Sequence, residues 1–407
     1  MSNYTLQNIS DDLSGIAHGK TINKFTNLFS IFRRAAQNLL GVIDPDETRI
    51  ITQITIYDQV SDYDLSGTSI KEKGVVDFRP QGRTRPLYDN FSMRMSKETN
   101  LKRLENMLTV MNDGGQQFLR IFKWFTPGAL TFDNLDVLTG WTATAAAQNI
   151  ALDSIIYPQD AIQFDIAAGA NPTTGYIQST SIATADLTDY VNKSSAFFEL
   201  YIPSAAALAA IISVNLRWGN DTTTKYYNRT VTAPHIGSLK VGKNLMRFDW
   251  NGATLTGVVT PTAIDSARIT INTNGTAISA LIVSKLFFSI GRVWDLEYLS
   301  KYLFSNGGVW SDVPSGLTTT LNLDTASYNG FLYEVALAGL QQIQGKDAMA
   351  DRSYFQDQLY GNSAKNIAGF YPTYKKNNPS QREKVTQTWY SNIGSKKGWD
   401  KFRRPGW

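Results

Sequence analysis

The spacing of apolar residues changes period twice along this chain, and that discontinuity limits the possible folds more than any single motif does. Between Thr21 and Ile43 the residues Ile22, Phe25, Leu28, Phe29, Phe32, Ala35, Ala36, Leu39, Leu40 and Ile43 recur at three- and four-residue steps, which is the stripe of one long amphipathic helix. Far downstream a second stripe runs through Phe331, Val335, Leu337, Leu340 and Ile343, and another helix is predicted over about 348–359, stopping near Gly361. Between these ends the texture is β. Short β-branched and aromatic runs at 161–166, 176–182, 196–202, 211–218, 226–232, 245–250, 268–273 and 281–288 are separated by Gly, Pro, Asn and Asp. Such a series predicts a two-sheet sandwich of jelly-roll type. The small-residue run Ala205 to Ala210 reads as a helical turn or a loop.

Insertions are tolerated where the flanking chain ends lie close together on a surface loop. The expected fold class is therefore α+β multidomain: a helical bundle with a small β part, interrupted by an all-β jelly-roll sandwich, plus an extended basic C-terminal arm. The expected boundaries are 1–126 with 296–370 for the discontinuous helical domain, 127–295 for the insert and 371–407 for the arm. Within the first part, Asp44-Pro45-Asp46-Glu47 has the layout of a cap and capping box, predicting a short helix on to about Ile51. The run Met107 to Met111, the turn Asn112-Asp113-Gly114-Gly115 and the return Phe118 to Phe125 predict a β-hairpin. Thr126-Pro127-Gly128 marks the start of the insert.

The residue inventory argues against catalysis. Among 407 residues there is no cysteine, and histidine occurs only at His18 and His235, in different expected domains. No P-loop, GxSxG elbow or HExxH is present. No cofactor and no metal are expected; Asp133 with Asp136, and Asp160 with Asp165, read as turn aspartates before they read as calcium ligands. The segment Met1 to Ile16 lacks the layout of a signal peptide, and no run is long and apolar enough to span a bilayer, so a soluble intracellular product without membrane contact is expected.

Two groups of residues are candidates for binding. Trp141, Trp218, Tyr226, Tyr227 and Trp250 suit a carbohydrate platform if they lie flat on an open sheet face; Trp250 alternates with Phe248 and is expected in the core, and Trp218, Tyr226 and Tyr227 are the candidate platform residues. The second group is in the tail. From Tyr374 to Trp407 nine basic residues stand against two acidic ones, so this segment carries +7 and the rest of the chain −3 of a net +4. Lys396 to Arg404 interleaves charge with Trp399 and Phe402, a pattern suited to DNA phosphates with stacking or to docking on a protein partner. Docking is favoured, with Trp389, Trp399, Phe402, Arg403, Arg404 and Trp407 as candidate anchors, because arms that fold on binding need apolar handles.

The stretch Gly19-Lys20-Thr21-Ile22-Asn23-Lys24 through Phe32-Arg33-Arg34-Ala35-Ala36, then Asp44 to Arg49, then Val76-Asp77-Phe78-Arg79-Pro80-Gln81, resembles the amino-terminal region of head-to-tail connector, adaptor or neck-ring proteins of tailed bacteriophages. The central part is similar in texture to carbohydrate-binding-like jelly rolls, and so large a β insert departs from the small adaptors. The resemblance implies a non-enzymatic virion protein, a homo-oligomeric ring subunit that joins portal protein to neck and tail proteins and lines or seals the DNA channel, with possible contact to packaged DNA. The alternative it implies is a tail-associated host-attachment protein whose sandwich binds glycan.

Overall fold

The computed structural model describes residues 4–16, 27–81, 89–90, 107–113, 116–121, 128–157, 160–342 and 346–378. Among the described residues there are six helices and five sheets: α1 (Leu6–Ile16), α2 (Leu28–Val42), α3 (Ala205–Ala210), α4 (Thr325–Leu340), α5 (Lys346–Tyr360) and α6 (Phe370–Asn377), with strands making up 44% and helices 25%. This corrects the expected helical bundle with a small β part. Outside the sandwich strands are nearly as extensive as helices, because segments on the two sides of the insert pair with each other. Arg49–Ile56 runs antiparallel to Arg292–Ser300, with Arg49 opposite Leu299 and Ile56 opposite Arg292, and Ile70–Pro80 takes the other edge of Arg292–Ser300. The helix expected on to Ile51 is only the 3-10 turn Asp46–Thr48. The β-branched run that follows it has a strand partner, and that partner decides its conformation.

The central sandwich has two six-stranded antiparallel sheets. The back sheet is ordered Ala147–Leu152, Ile162–Ile166, Ile278–Ile290, Ser194–Ile202, Gly242–Asp249, with Ala129–Asp133 also paired to Ile278–Ile290. The front sheet is ordered Thr254–Thr256, Lys225–Val231, Ile211–Asp221, Ser266–Thr273, Thr173–Ser179, Trp141–Ala145. The chain passes from sheet to sheet at 162–166, 173–179, 194–202 and 211–221, as a jelly roll does. Alternation along each strand sends Phe198, Leu200, Met246, Phe248 and Phe288 from the back, and Ile177, Leu216, Trp218, Ile269 and Ile271 from the front, into one core. Trp218 and Trp250 meet edge to face at 5.4 Å, and Phe288 lies 5.6 Å from Trp250.

Residues from both ends of the chain build a second core. Ile31, Phe32, Ala35, Ala36, Leu39 and Leu40 of α2 pack with Phe331, Leu332, Val335 and Leu340 of α4. Phe29 of the expected stripe is 39% exposed, and Phe25 lies outside the described residues. Helix α4 is buried nearly all round, between α2 and the pair α5 and α6. Its Glu334 is out of water yet accepts hydrogen bonds from Tyr371 Oη of α6 at 2.6 Å and Asn38 Nδ2 of α2 at 3.2 Å, so one carboxyl ties three helices together. Burial pushes its pKa up. The segment read as an arm from residue 371 thus begins as helix α6, with Tyr371 and Tyr374 in the core. The other candidate anchors, Trp389, Trp399, Phe402, Arg403, Arg404 and Trp407, lie outside the described residues, as does His18.

Candidate functional site

The two outer faces of the sandwich differ. On the back sheet, Phe197 and Phe287 point away from the sandwich core, stack at 5.1 Å, and join a third apolar cluster with Tyr57, Val60, Tyr63, Phe78, Trp294 and Leu296. His235 sits at this seam between the Tyr57, Tyr63 and Phe197 rings, its Nε2 3.0 Å from the carbonyl of Asp62 and its Nδ1 buried without a partner. Loss of solvent, with the Arg247 guanidinium nearby, holds the imidazole pKa down to about 4. The back of the sandwich is therefore the side on which it is held.

Among the described residues, the front sheet's outer face carries no such layer. Its side chains follow from alternation, since every residue between two core-facing positions must point outward. Read across the strands, one row is Thr254, Asn228, Arg217, Arg268, Gln178 and Thr142. The next is Thr230, Asn215, Thr270, Tyr176 and Thr144, and beyond it come Ser213, Asn272 and Thr174. On the other side lie Thr256, Tyr226, Gly219 and Ser266. All are polar or aromatic apart from Gly219, and none is a carboxylate. Gly219 is required by close approach: a Cβ there would stand 2.2 Å from the carbonyl oxygen of Lys225, beside the register shift that lifts the turn 221–224 over the face.

The middle of the face is a shallow trough. Ser213, Asn215 and Thr270 are short, outward-facing and still buried. Taller on the same face stand two arginine–tyrosine pairs: Arg268 lies over the Tyr176 ring at 4.2 Å and Arg217 over the Tyr226 ring at 4.5 Å. A hydrogen-bond network fixes the guanidiniums. Arg268 donates from Nε and Nη2 to Gln178 Oε1 at 3.0 and 2.7 Å and from Nη2 to Thr222 Oγ1 at 3.2 Å; Arg217 Nη1 donates to the carbonyl of Thr222 at 3.1 Å. Asn215 Nδ2 reaches Asn228 Oδ1 at 2.7 Å and Thr230 Oγ1 at 2.8 Å. Arg268 is only 9% exposed, and desolvation lowers its pKa. A rigid floor of amides and hydroxyls between aromatic rings suits a polyhydroxylated ligand, whose hydroxyls bond to the fixed groups while its apolar ring faces rest on the aromatic surfaces.

Of the three residues read as a glycan platform, only Tyr226 is on this face. Trp218 is 0% exposed in the sandwich core, and Tyr227 stacks on it at 5.9 Å from the inner side. Adjacent residues of a strand face opposite ways, so Tyr226 and Tyr227 could not share a surface. Tyr176, Gln178, Arg217 and Arg268 were not singled out from the sequence. The signal for them was present as polar residues alternating with core positions in Tyr176-Ile177-Gln178, Leu216-Arg217-Trp218 and Ala267-Arg268-Ile269. Two of the four aspartates read as possible calcium ligands hold neighbouring groups instead: Asp133 accepts from Leu135 N at 2.7 Å and the Trp141 indole Nε1 at 3.1 Å, and Asp165 from Ala280 N at 2.7 Å. Among the described residues no group of three or more metal-ligating side chains converges.

No family model matches the chain, and no curated protein does. Among solved structures it is similar to a promiscuous carbohydrate-binding module of the β-sandwich superfamily at 13% identity and a TM-score of 0.27, over 58% of this chain and 96% of that one. A mannan-recognising carbohydrate-binding module matches at 10% identity and a TM-score of 0.24, over 46% of this chain and 97% of that one. The enzymatically active domain of tailspike protein 4 of bacteriophage CBA120 matches at 10% identity and a TM-score of 0.20, over 39% of this chain and 20% of that one. All three superpositions are loose.

Proposed function

We propose that the protein is a non-catalytic glycan-recognition subunit: a body assembled from both ends of the chain holds the sandwich by its back, and the front sheet binds an oligosaccharide across its outer face. The observation that carries this is the trough of fixed amides and hydroxyls flanked by the Tyr176–Arg268 and Tyr226–Arg217 pairs. Glycoside hydrolysis needs two carboxylates facing each other across the substrate. The four rows of this face hold none, which supports binding without cleavage. The place such a subunit would work is suggested by the resemblance of its first hundred residues to proteins of the phage head-to-tail region. Host attachment from the tail suits an outward-facing sugar site better than a ring sealing a DNA channel.

The test is a glycan array probed with the full-length chain and with Tyr176→Ala and Tyr226→Ala. Retention of a glycan family by the parent and its loss, at least tenfold, in both variants is expected. Equal retention by parent and variants would overturn the site.

A further inference from the structure

Arg217 and Arg268 stand directly opposite each other on neighbouring strands of the front sheet. Like charges in that position repel and destabilise a sheet. Other strand arginines have acidic partners, as Arg120 has Asp62 at 2.6 Å and Arg247 has Asp249 at 2.7 Å. Among the described residues these two have none. Arg268 is held by the neutral Gln178 and Thr222 and Arg217 by a backbone carbonyl. Asp221, on the same strand as Arg217, is turned to its own loop, where it accepts from Thr223 N at 2.7 Å and Thr224 Oγ1 at 2.9 Å. Among the described residues, Arg268 Nη1 and Arg217 Nη2 donate to no protein group, and Arg217 Nε is buried without a partner. Two fixed forks, partly removed from water and short of one negative charge, make a seat for a planar or tetrahedral anion.

We infer that the front face recognises an acidic sugar, with a carboxylate or sulfate substituent bridging Arg217 and Arg268 and the sugar ring lying between Tyr176 and Tyr226. This rests on the glycan-binding reading and adds the charge of the ligand to it. A neutral sugar would leave the two guanidiniums uncompensated. The anionic group relieves their repulsion, so it selects the ligand as well as holding it.

The experiment is affinity electrophoresis of the full-length chain in gels containing sodium alginate, dextran sulfate, or the neutral polymers dextran and mannan. Retardation by an acidic polymer and not by the neutral ones is expected; alginate against dextran sulfate separates a carboxylate from a sulfate as the preferred group. Arg268→Gln and Arg217→Gln should each weaken the retardation at least tenfold. Arg33→Gln, which removes the same charge from α2, should change it less than twofold, and this comparison separates the site from general attraction to a polyanion. Because Arg268 is nearly buried, Arg268→Lys is run beside it with a melting curve, and a folded lysine variant should still lose most of the retardation because the fork is gone. Retardation that survives all the front-face arginine variants overturns the inference. Retardation by neutral polymers that needs Tyr176 and Tyr226 but neither arginine overturns it while leaving the glycan-binding reading standing, and retardation by no polymer removes both.

Discussion

Tyr226 and Tyr227 are adjacent in the chain and do opposite work: one ring lies under Arg217 on the outer face, the other fills the core against Trp218 and Trp250. Their substitutions should separate binding from stability. Trp218→Ala removes a wholly buried ring, and losses of about 3–5 kcal/mol are usual for such a change. Tyr226→Ala gives up mainly a half-exposed cation–π contact, about 0.5–1 kcal/mol. The expected outcome is a Tyr226→Ala protein that melts close to the parent and fails to retain glycan, beside a Trp218→Ala protein that melts far lower; a large drop in the Tyr226→Ala melt would place that ring in the core. At this scale the sequence was legible wherever alternation was applied. Phe248 and Trp250 alternate in the sequence and both lie in the core, as their period predicts, whereas residue type alone, the basis on which Trp218, Tyr226 and Tyr227 form a group, carries no information about direction.

Elements were legible when their signal was local. The eight sandwich strands with β-branched or aromatic runs are present within a few residues of their expected positions, as is the pair now named α4 and α5. The long helix expected from Thr21 begins at Leu28, where Asn27, in a left-handed conformation, caps it, and the expected residues 21–26 lie outside the described residues. The strands at Trp141–Ala145 and Ala147–Leu152 are rich in Ala and Thr and carry little apolar alternation, and Thr254–Thr256 is a three-residue edge; pairing with neighbours makes them strands. Phe32 on α2 faces α4 in the second core, so Phe32→Ala should cost about 3–5 kcal/mol, while Phe29→Ala, on the outer flank, should cost under about 1 kcal/mol; equal losses would mean that the helix is rotated. His235 makes the seam behind the sandwich sensitive to pH. Its folded pKa of about 4 lies below the unfolded value near 6.5, so the unfolded chain takes up the proton first and stability falls as pH drops through that window. The loss should reach about 2 kcal/mol by pH 5. Urea midpoints at pH 7 and pH 5 should differ more in the parent than in His235→Gln, and identical differences would show that another group governs the slope.

The whole molecule has a held side and a presented side, and neither was visible in local patterning because both depend on contacts between residues far apart in the chain. Phe197 and Phe287 read in sequence as ordinary sandwich residues, yet they face outward onto Tyr57 and its neighbours. Residues 127–295 expressed alone would expose that patch. The fragment is expected to fold and to self-associate through its back sheet, with Phe197→Ser and Phe287→Ser together restoring a monomer in sedimentation; a monomeric parent fragment would argue that the seam is weak. The front face, in contrast, should be free in the intact chain. Hydroxyl-radical footprinting of the full-length protein, with and without a glycan that it retains, tests this most directly, because tyrosine rings report their own exposure. Labelling of Tyr176 and Tyr226 should fall on binding while that of Tyr354 and Tyr360, exposed on α5, stays constant. Unchanged labelling of Tyr176 and Tyr226 in the presence of bound glycan would contradict it.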